Sequence, residues 1–290
     1  MSVSHPIIAV TGSSGAGTST VKHAFEDIFR RSGIKPVVVE GDSFHRFDRM
    51  EMRAAVAKQE ELGNTLTHFG PEANRLDMLE KLFQTYSETG KGEKRLYIHD
   101  DNEGKIHNQE AGTFTPWEEI DGDNDLLFYE GLHGGVVTDE VNIARYTDLL
   151  IGVVPVINLE WIQKIKRDCS NRGYSQDAVV DIILKRMPDY IHHITPQFSR
   201  TDINFQRVPL IDTSNPFVMR EIPTPDESLI VIRFKEPKKA DFPYYLSMLK
   251  DSFMSRPNNL VVPAVKMGLA MEVILTPFIE QMMVKKRQRG

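Results

Sequence analysis

Cysteine is almost absent from this 290-residue chain, in which Cys169 is the one thiol. A single thiol cannot form an intramolecular disulfide, so the chain gives no sign of an oxidising compartment and fits a reducing one. Cys169 falls within a charged helical stretch, where we interpret it as a packing residue rather than a reactive thiol.

An excess of basic residues and a long apolar run are missing as well. Lysine and arginine number 35 against 41 acidic residues, which gives a net charge of −6 and no overall basic surface for nucleic acid. No uninterrupted apolar run reaches the ~18 residues of a membrane helix. Few charges precede the first apolar segment, so we expect no signal peptide. These features predict a cytoplasmic protein.

The pattern of the chain predicts one α/β domain over residues 1–290, without repeats or low-complexity linkers. We expect a nucleotide-binding core at about 5–160 and a substrate and regulatory part at about 161–290. Short apolar segments predict buried strands at 7–11, 36–40, 95–99, 125–130, 148–155, 204–211 and 228–234. Helical periodicity lies between them at 18–31, 48–62, 71–89, 159–172, 175–191 and 267–286.

This alternation predicts a sheet with ligands at the carboxyl ends of its strands. Only a proline-rich turn separates segments 204–211 and 228–234, which favours antiparallel neighbours and therefore a mixed sheet. The polar region 91–123 is long for a plain connection and is either a surface excursion or a flap over the substrate.

A glycine-rich segment between the first strand and the first helix is the clearest functional signal. Backbone N–H groups in such a loop bind phosphate oxygens. Gly12, Gly17 and Ser19 fit the spacing G-x-x-x-x-G-K-[ST], but Thr18 stands where lysine is expected. The predicted ATP-binding residues are Gly12, Ser13, Ser14, Gly15, Ala16, Gly17, Thr18, Ser19 and Thr20. Because the loop has no lysine, another cation must reach the transferred phosphate.

Carboxylates follow two further strands. Glu130 ends one of them and is predicted to hold Mg²⁺ together with the Ser19 hydroxyl, although acids at strand ends are often there for solubility alone. Asp42 follows the second strand and is either a turn-capping residue or the base that accepts a proton from an attacking hydroxyl. His45, Arg46 and Arg49 follow directly, and their guanidinium groups suit an acceptor that already carries a phosphate.

A basic helix is the second concentration of charge. Lys164, Arg167, Asp168 and Arg172 are spaced to share one helical face. A solvated face with weak internal ion pairs is the ordinary interpretation. The missing loop lysine favours the other one, in which Lys164 supplies that charge.

Several blocks resemble the bacterial phosphoribulokinases of the P-loop uridine kinase/phosphoribulokinase family. They are GSSGAGTST (12–20), EGDSFHR (40–46), FYEGLHG (128–134), VVPVINLEWIQKI (153–165), PQFS (196–199), INFQRVP (203–209) and DTSNPF (212–217). The resemblance implies a three-layer, nucleoside-monophosphate-kinase-like fold with a mixed central sheet. It also implies phosphorylation of the C1 hydroxyl of D-ribulose 5-phosphate by ATP and Mg²⁺ in the Calvin cycle.

The resemblance further assigns roles by matching position. Asp42, Lys164 and Asp168 would be catalytic, and Ser19 and Glu130 would bind the metal. The sugar phosphate would be bound by His45, Arg49, Tyr97, His99, Arg167 and Arg172. Arg31, Arg233 and Arg256 would mediate allosteric control, with NADH as activator, and the chain would form a homo-oligomer, usually an octamer.

Two alternatives stay open at this stage. One is a small-molecule kinase of the uridine or pantothenate kinase type, whose acceptor lacks the phosphate that the arginines would bind. The other is a regulatory protein that senses nucleotides without turning them over.

Overall fold

The computed structural model describes residues 4–12, 18–219 and 221–288, with the backbone alone for residues 18, 19, 171 and 172. Its strands are β1 Ile7–Gly12, β2 Pro36–Glu40, β3 Gly92–Lys94, β4 Glu118–Ile120, β5 Leu126–Gly131, β6 Leu149–Pro155, β7 Ile203–Pro209, β8 Ser228–Phe234, β9 Phe253–Arg256 and β10 Asn259–Pro263. Its α-helices are α1 Thr18–Ser32, α2 Arg49–Glu61, α3 Leu76–Thr89, α4 Asp101–His107, α5 Ile157–Arg172, α6 Gln176–Asp189, α7 Thr195–Arg200, α8 Phe242–Met248 and α9 Met267–Arg287.

Within the described residues, eight strands form one sheet in the order β2-β5-β1-β6-β7-β8-β10-β9. The pairs from β2 to β7 are parallel, whereas β8 pairs antiparallel with β7 and β10. This confirms the predicted mixed sheet and the predicted antiparallel pairing of β7 with β8. Strands β3 and β4 form a separate two-stranded ribbon.

Both faces of the sheet are covered, which gives the three-layer arrangement. On one face Ile8 and Val10 of β1 join the side of the core that holds helices α1 and α9. On the other face Ile7 and Ala9 pack with Phe83 of α3. Successive residues of a strand point to opposite faces, so an apolar run such as 7–10 is what a doubly covered strand requires.

Helix α9 belongs to the core of this fold. The segment Ala264–Arg287 is long and apolar enough to cross a membrane by length and composition. Ala270, Met271 and Ile274 are nevertheless fully buried in the core, and Glu272 pairs with Arg31 of α1 at 2.7 Å. These contacts are those of a core helix in a globular domain.

The predicted strand at 95–99 is wrong. The chain is extended there, but its one bridge joins Tyr97 to Phe114, and the regular ribbon of β3 and β4 lies beside it. The N–H of Leu96 donates to the side-chain hydroxyl of Thr115 at 2.9 Å instead of to a backbone carbonyl, which interrupts the ladder between these segments.

The predicted helix at 71–89 also needs correction. It divides into the 3₁₀ helix Pro71–Ala73 and α3. Asn74 interrupts it, since its backbone is extended and its side-chain amide donates to the carbonyls of His68 and Gly70 at 2.9 and 2.7 Å.

The carboxyl ends of β1, β2 and β5 meet at one edge of the sheet, because these strands are parallel neighbours. At this edge β1 approaches β6 so closely that a Cβ on Gly12 would lie 2.2 Å from the carbonyl oxygen of Val153. Glycine is therefore required where β1 leads into the phosphate loop, and the loop begins directly beside the other strand ends.

Candidate active site

Two carboxylates lie side by side where β2 and β5 end. Glu40 and Glu130 are register partners, and Asp42 follows in the 3₁₀ helix Gly41–Phe44. Burial raises the pKa of Glu130 to about 7, the charges of Glu40 and Asp42 add to the rise, and Lys22 opposes it. The edge of the sheet thus holds concentrated negative charge that a cation would neutralise.

This arrangement fits a magnesium ion bound mainly by water and phosphate. Mg²⁺ in kinases takes one or two carboxylates together with substrate phosphates and keeps several waters. Over residues 4–12, 18–219 and 221–288, no three His, Cys, Asp or Glu side chains form a metal-binding group. Glu130 suits a Mg²⁺ site in which one carboxylate acts together with phosphates and water. The side chain of its predicted partner, Ser19, lies outside the described part of the chain.

Asp42 is presented on a tightly packed turn. A Cβ on Gly41 would lie 2.6 Å from the Tyr129 hydroxyl and 2.8 Å from the Cα of Gly131, so only glycine allows this approach. The Asp42 side chain keeps 43% of its surface exposed, and its Oδ1 lies 3.6 Å from Nε2 of His45. Asp42 is therefore held firmly by its backbone while its carboxylate stays open to a substrate.

Three histidines, of which His45 and His133 are buried and His68 is half-buried, lie near this carboxylate. The rings of His45 and His68 lie 4.4 Å apart, and Nε2 of His133 lies 3.1 Å from the carbonyl oxygen of Phe69. Burial is the main cause that lowers the pKa of His45 to about 4, of His68 to about 3 and of His133 to about 4. All three rings are neutral at neutral pH, so His45 would contact a sugar phosphate as a hydrogen-bonding group without charge.

The predicted substrate residues near Asp42 come together. Tyr97 lies between His45 and His99, with ring centroids 6.1 and 5.0 Å away. Nε2 of His99 is 3.9 Å from Oε2 of Glu40, and Nη2 of Arg49 donates to the His99 carbonyl at 2.8 Å. Residues of segments 40–49 and 97–99 thus lie together beyond the end of β2.

Lys164 is directed inward on the basic helix. Its ammonium donates to Oδ2 of Asp168 at 2.5 Å, and Nε of Arg167 donates to Oδ1 at 3.1 Å. The side chains of Lys164 and Asp168 are 17% and 3% exposed. Burial lowers the pKa of Lys164, although its hydrogen bond to Asp168 acts to raise it. Burial acts to raise the pKa of Asp168, but the hydrogen bonds and charges of Lys164 and Arg167 outweigh it and hold that pKa below its usual value. The solvated-face interpretation therefore does not describe Lys164.

Arg186 on α6 links the basic helix to the Asp42 side. Its positive charge lowers the pKa of Lys164 and also that of His68, so it lies near both. The loop that carries His68 is tied to the end of α6 by the Thr67 hydroxyl, which donates to Oδ2 of Asp189 at 2.6 Å. The end of α6 and the loop that carries His68 are thus linked.

Several of the predicted site residues lie wholly or partly outside the described part of the chain. Ser13, Ser14, Gly15, Ala16 and Gly17 lie outside the described residues, as do the side chains of Thr18, Ser19 and Arg172. Thr20 is described, and its Cγ2 lies 3.6 Å from where a Cβ on Gly268 would be, at the start of α9.

The three predicted regulatory arginines occupy two places. Arg233 and Arg256 are both register partners of Asn259 and so flank the same point of the sheet. Arg233 also donates to the carbonyl of Phe198 at 2.7 Å. Arg31 lies on α1 and pairs with a glutamate of α9.

The chain is similar to known proteins over nearly its full length. The model of the Phosphoribulokinase / Uridine kinase family matches residues 7–214. The chain belongs to this family. It is 62% identical to a chromosomal phosphoribulokinase of Cupriavidus necator over 289 residues, which are 99% of each chain. It is 60% identical to phosphoribulokinase 1 of Cereibacter sphaeroides over 282 residues, or 97% of each.

A solved structure agrees with these relatives. Phosphoribulokinase from Rhodobacter spheroides matches with a TM-score of 0.92 and 56% identity, covering 99% of this chain and all of the other. The family fold therefore extends over the whole chain, including β8 to β10 and α9, which lie beyond the residues that the family model matches.

Arg95 is a member of this site that no sequence motif marks. Its Nε donates to the carbonyl of Ser43 and its Nη2 to that of His45, both at 2.8 Å. The guanidinium stacks on Phe114 and Trp117, with Cζ 3.6 and 4.7 Å from the ring centroids. Burial lowers its pKa to about 10, so it stays charged at neutral pH. Arg95 thus fastens the turn of Asp42 to the polar region 91–123.

We expect Arg95→Lys to lower kcat by about 10-fold to 100-fold, because lysine keeps the charge but cannot donate to both carbonyls from one plane. The KM for ATP should change little, since the turn lies on the acceptor side. Arg145→Lys is the matched control, an exposed arginine that stacks on Tyr146. Steady-state kinetics in which Arg95→Lys matches Arg145→Lys would contradict this positioning role.

The neutral histidines predict an acid-sensitive fold. The unfolded chain protonates histidine below about pH 6.5, but the folded chain does not protonate His68 until about pH 3. The free energy of unfolding should therefore fall as pH decreases below 6.5. Between pH 7.5 and pH 5, the free energy of unfolding of His68→Phe should fall by about 2 kcal/mol less than that of the unaltered chain.

Urea unfolding at the two pH values measures this difference. His23→Phe is the control, because His23 is 75% exposed on α1. An equal loss of stability in His68→Phe and the unaltered chain would show that His68 does not contribute to the acid sensitivity.

Proposed function

We propose that this chain transfers the γ-phosphoryl group of ATP to the C1 hydroxyl of D-ribulose 5-phosphate and gives ribulose 1,5-bisphosphate and ADP, as in the Calvin cycle. Support comes from relatives named phosphoribulokinase at about 60% identity over nearly full length. The observation that carries the proposal is the exposed carboxylate of Asp42, which stands on a rigid turn between paired acidic strand ends and phosphate-binding side chains.

Asp42 would accept the proton of the attacking hydroxyl. Phosphoryl transfer to an alcohol needs a group that positions the hydroxyl and takes its proton. Asp42 combines exposure with a fixed backbone, and its neutral histidine neighbours do not hold its charge in a strong ion pair. It is therefore free to receive the proton.

The donor side would rest on Glu130, Ser19 and Lys164. Mg²⁺, held by Glu130 and the Ser19 hydroxyl, would neutralise charge on the phosphates of ATP. Lys164 would take the place of the absent loop lysine. Asp168 would set the direction of Lys164, since it accepts the lysine's hydrogen bond at 2.5 Å.

The phosphate of the acceptor would be bound by residues from both sides of the crevice. His45, Arg49, Tyr97 and His99 line the strand side, and Arg167 and Arg172 would approach from the basic helix. Arg49 holds the loop of His99 in the present structure, and arginine suits phosphate through its planar fork.

Regulation and assembly form the outer part of the proposal. We propose a homo-oligomer, octameric by family resemblance, with NADH as activator through Arg31, Arg233 and Arg256, and a cytoplasmic location. Arg233 and Arg256 flank Asn259, whereas Arg31 lies on α1. An effector that contacts all three would thus join separate surface elements.

An acceptor panel tests the function. Purified protein with Mg-ATP should produce bisphosphate from ribulose 5-phosphate and leave uridine and pantothenate unphosphorylated, with and without NADH. Equal turnover of uridine would favour the other branch of the family. Binding of Mg-ATP without any phosphorylated pentose would favour a nucleotide-sensing protein.

Asp42→Asn should lower kcat by at least ~10²-fold, because the amide cannot accept the proton. The affinity for ATP should stay nearly unchanged, since the nucleotide is bound by other residues. Steady-state kinetics and nucleotide titration measure the two quantities, with Asp226→Asn in an exposed turn as control. Turnover near that of the control would exclude Asp42 as the base.

A further inference from the structure

Gln197 lies at the centre of the polar contacts beneath the active site. It is fully buried in α7. Its side-chain oxygen accepts hydrogen bonds from the Thr11 hydroxyl at 3.0 Å and from the Gly135 N–H at 2.9 Å. Its amide nitrogen donates to the carbonyls of Leu132 at 2.9 Å and His193 at 2.7 Å.

These four contacts match the two donor hydrogens and two acceptor lone pairs of a glutamine amide. The Thr11 hydroxyl shares its one hydrogen between the Gln197 oxygen and the Leu132 carbonyl, which lies 3.1 Å away. The arrangement also fixes the orientation of the amide, because two carbonyls face its nitrogen, and an N–H and a hydroxyl face its oxygen. Neither glutamate nor methionine can reproduce it, so the site demands glutamine.

The partners of Gln197 belong to the three segments that carry the chemistry. Thr11 directly precedes Gly12, where the phosphate loop begins. Leu132 and Gly135 lie in the loop that follows Glu130. His193 lies in the π-helical turn Tyr190–Ile194, which continues from α6.

We propose that Gln197 is a positioning residue for phosphoryl transfer: it locks the start of the phosphate loop, the loop behind Glu130 and the end of α6 into one arrangement. The proposal rests on the kinase function proposed above. Gln197 touches neither substrate nor metal. It acts by keeping the phosphate loop and Glu130 at a fixed separation while α6 brings Arg186 toward Lys164.

Gln197→Glu gives the sharpest test. An ionised carboxylate would face two carbonyl oxygens and could donate to neither, whereas the protonated acid regains one donor. Burial without a cationic partner favours that protonated form at moderate pH. We therefore expect kcat to be at least tenfold below that of the unaltered enzyme at pH 9. The ratio of the two kcat values should recover at least fivefold at pH 6.

Gln197→Met and Gln84→Glu are the controls. Gln197→Met removes all four bonds without adding a titratable group, so its kcat should be reduced by a ratio that does not change with pH. Gln84→Glu lies on the exposed face of α3 and should behave as the unaltered enzyme. All assays are run at least 15 °C below the lowest Tm measured by circular dichroism, so that a loss of kcat reports the folded protein.

Thr11→Val keeps the test decisive if a Gln197 variant does not fold, because it removes one donor to Gln197 and preserves shape. We expect a threefold to tenfold fall in kcat with Tm lowered by a few degrees at most. Folded variants with lowered Tm but unaltered kcat, or a Gln197→Glu loss that is flat in pH, would overturn the proposal. An unaltered protein without activity on ribulose 5-phosphate would instead refute the proposed function.

Discussion

The contact between Lys164 and Asp168 is the interaction on which the account of this site depends. The glycine-rich loop has Thr18 where lysine is expected, and we propose that Lys164 supplies the missing charge. A buried carboxylate and ammonium are costly to remove from water, and their attraction compensates only when the geometry is good. Asp168 accepts from both Lys164 and Arg167. The pair thus restricts a long, flexible side chain to one direction.

The rest of the site separates negative and neutral groups. The strand ends concentrate carboxylates, which raises the pKa of Glu130 and suits a divalent cation. The acceptor side instead surrounds Asp42 with histidines that burial keeps uncharged. His45, whose Nε2 lies 3.6 Å from the Asp42 carboxylate, thus meets it as a neutral ring rather than as a cation.

Sequence reasoning reached the parts of this protein that depend on local pattern. The apolar strands, the glycine at position 12 and the acids at strand ends follow from periodicity and spacing, and the structure has them at one edge of a mixed sheet. The missing loop lysine predicts that Lys164 supplies its charge, whereas the inward direction of Lys164 is seen only in the structure. Its contact with Asp168 at i+4 follows from helix geometry.

Contacts between residues that are distant in sequence could not be predicted from local pattern. Arg95 looked like the start of a strand, yet it binds carbonyls about 50 residues away. His68 stands in a loop without a pattern, and its burial depends on how that loop packs against His45. Gln197 lies in a family block, but its role requires knowing that Thr11 and Gly135 surround it. Such roles are set by packing, which the linear sequence does not display.

Single-turnover phosphoryl transfer by Lys164→Met, with Lys166→Met on the same helix as control, tests the role of Lys164 directly. We expect Lys164→Met to lower the rate of transfer by about 10²-fold to 10³-fold, with less than a fivefold change in the Kd for ATP. A transfer rate equal to that of Lys166→Met, in a folded protein, would contradict it.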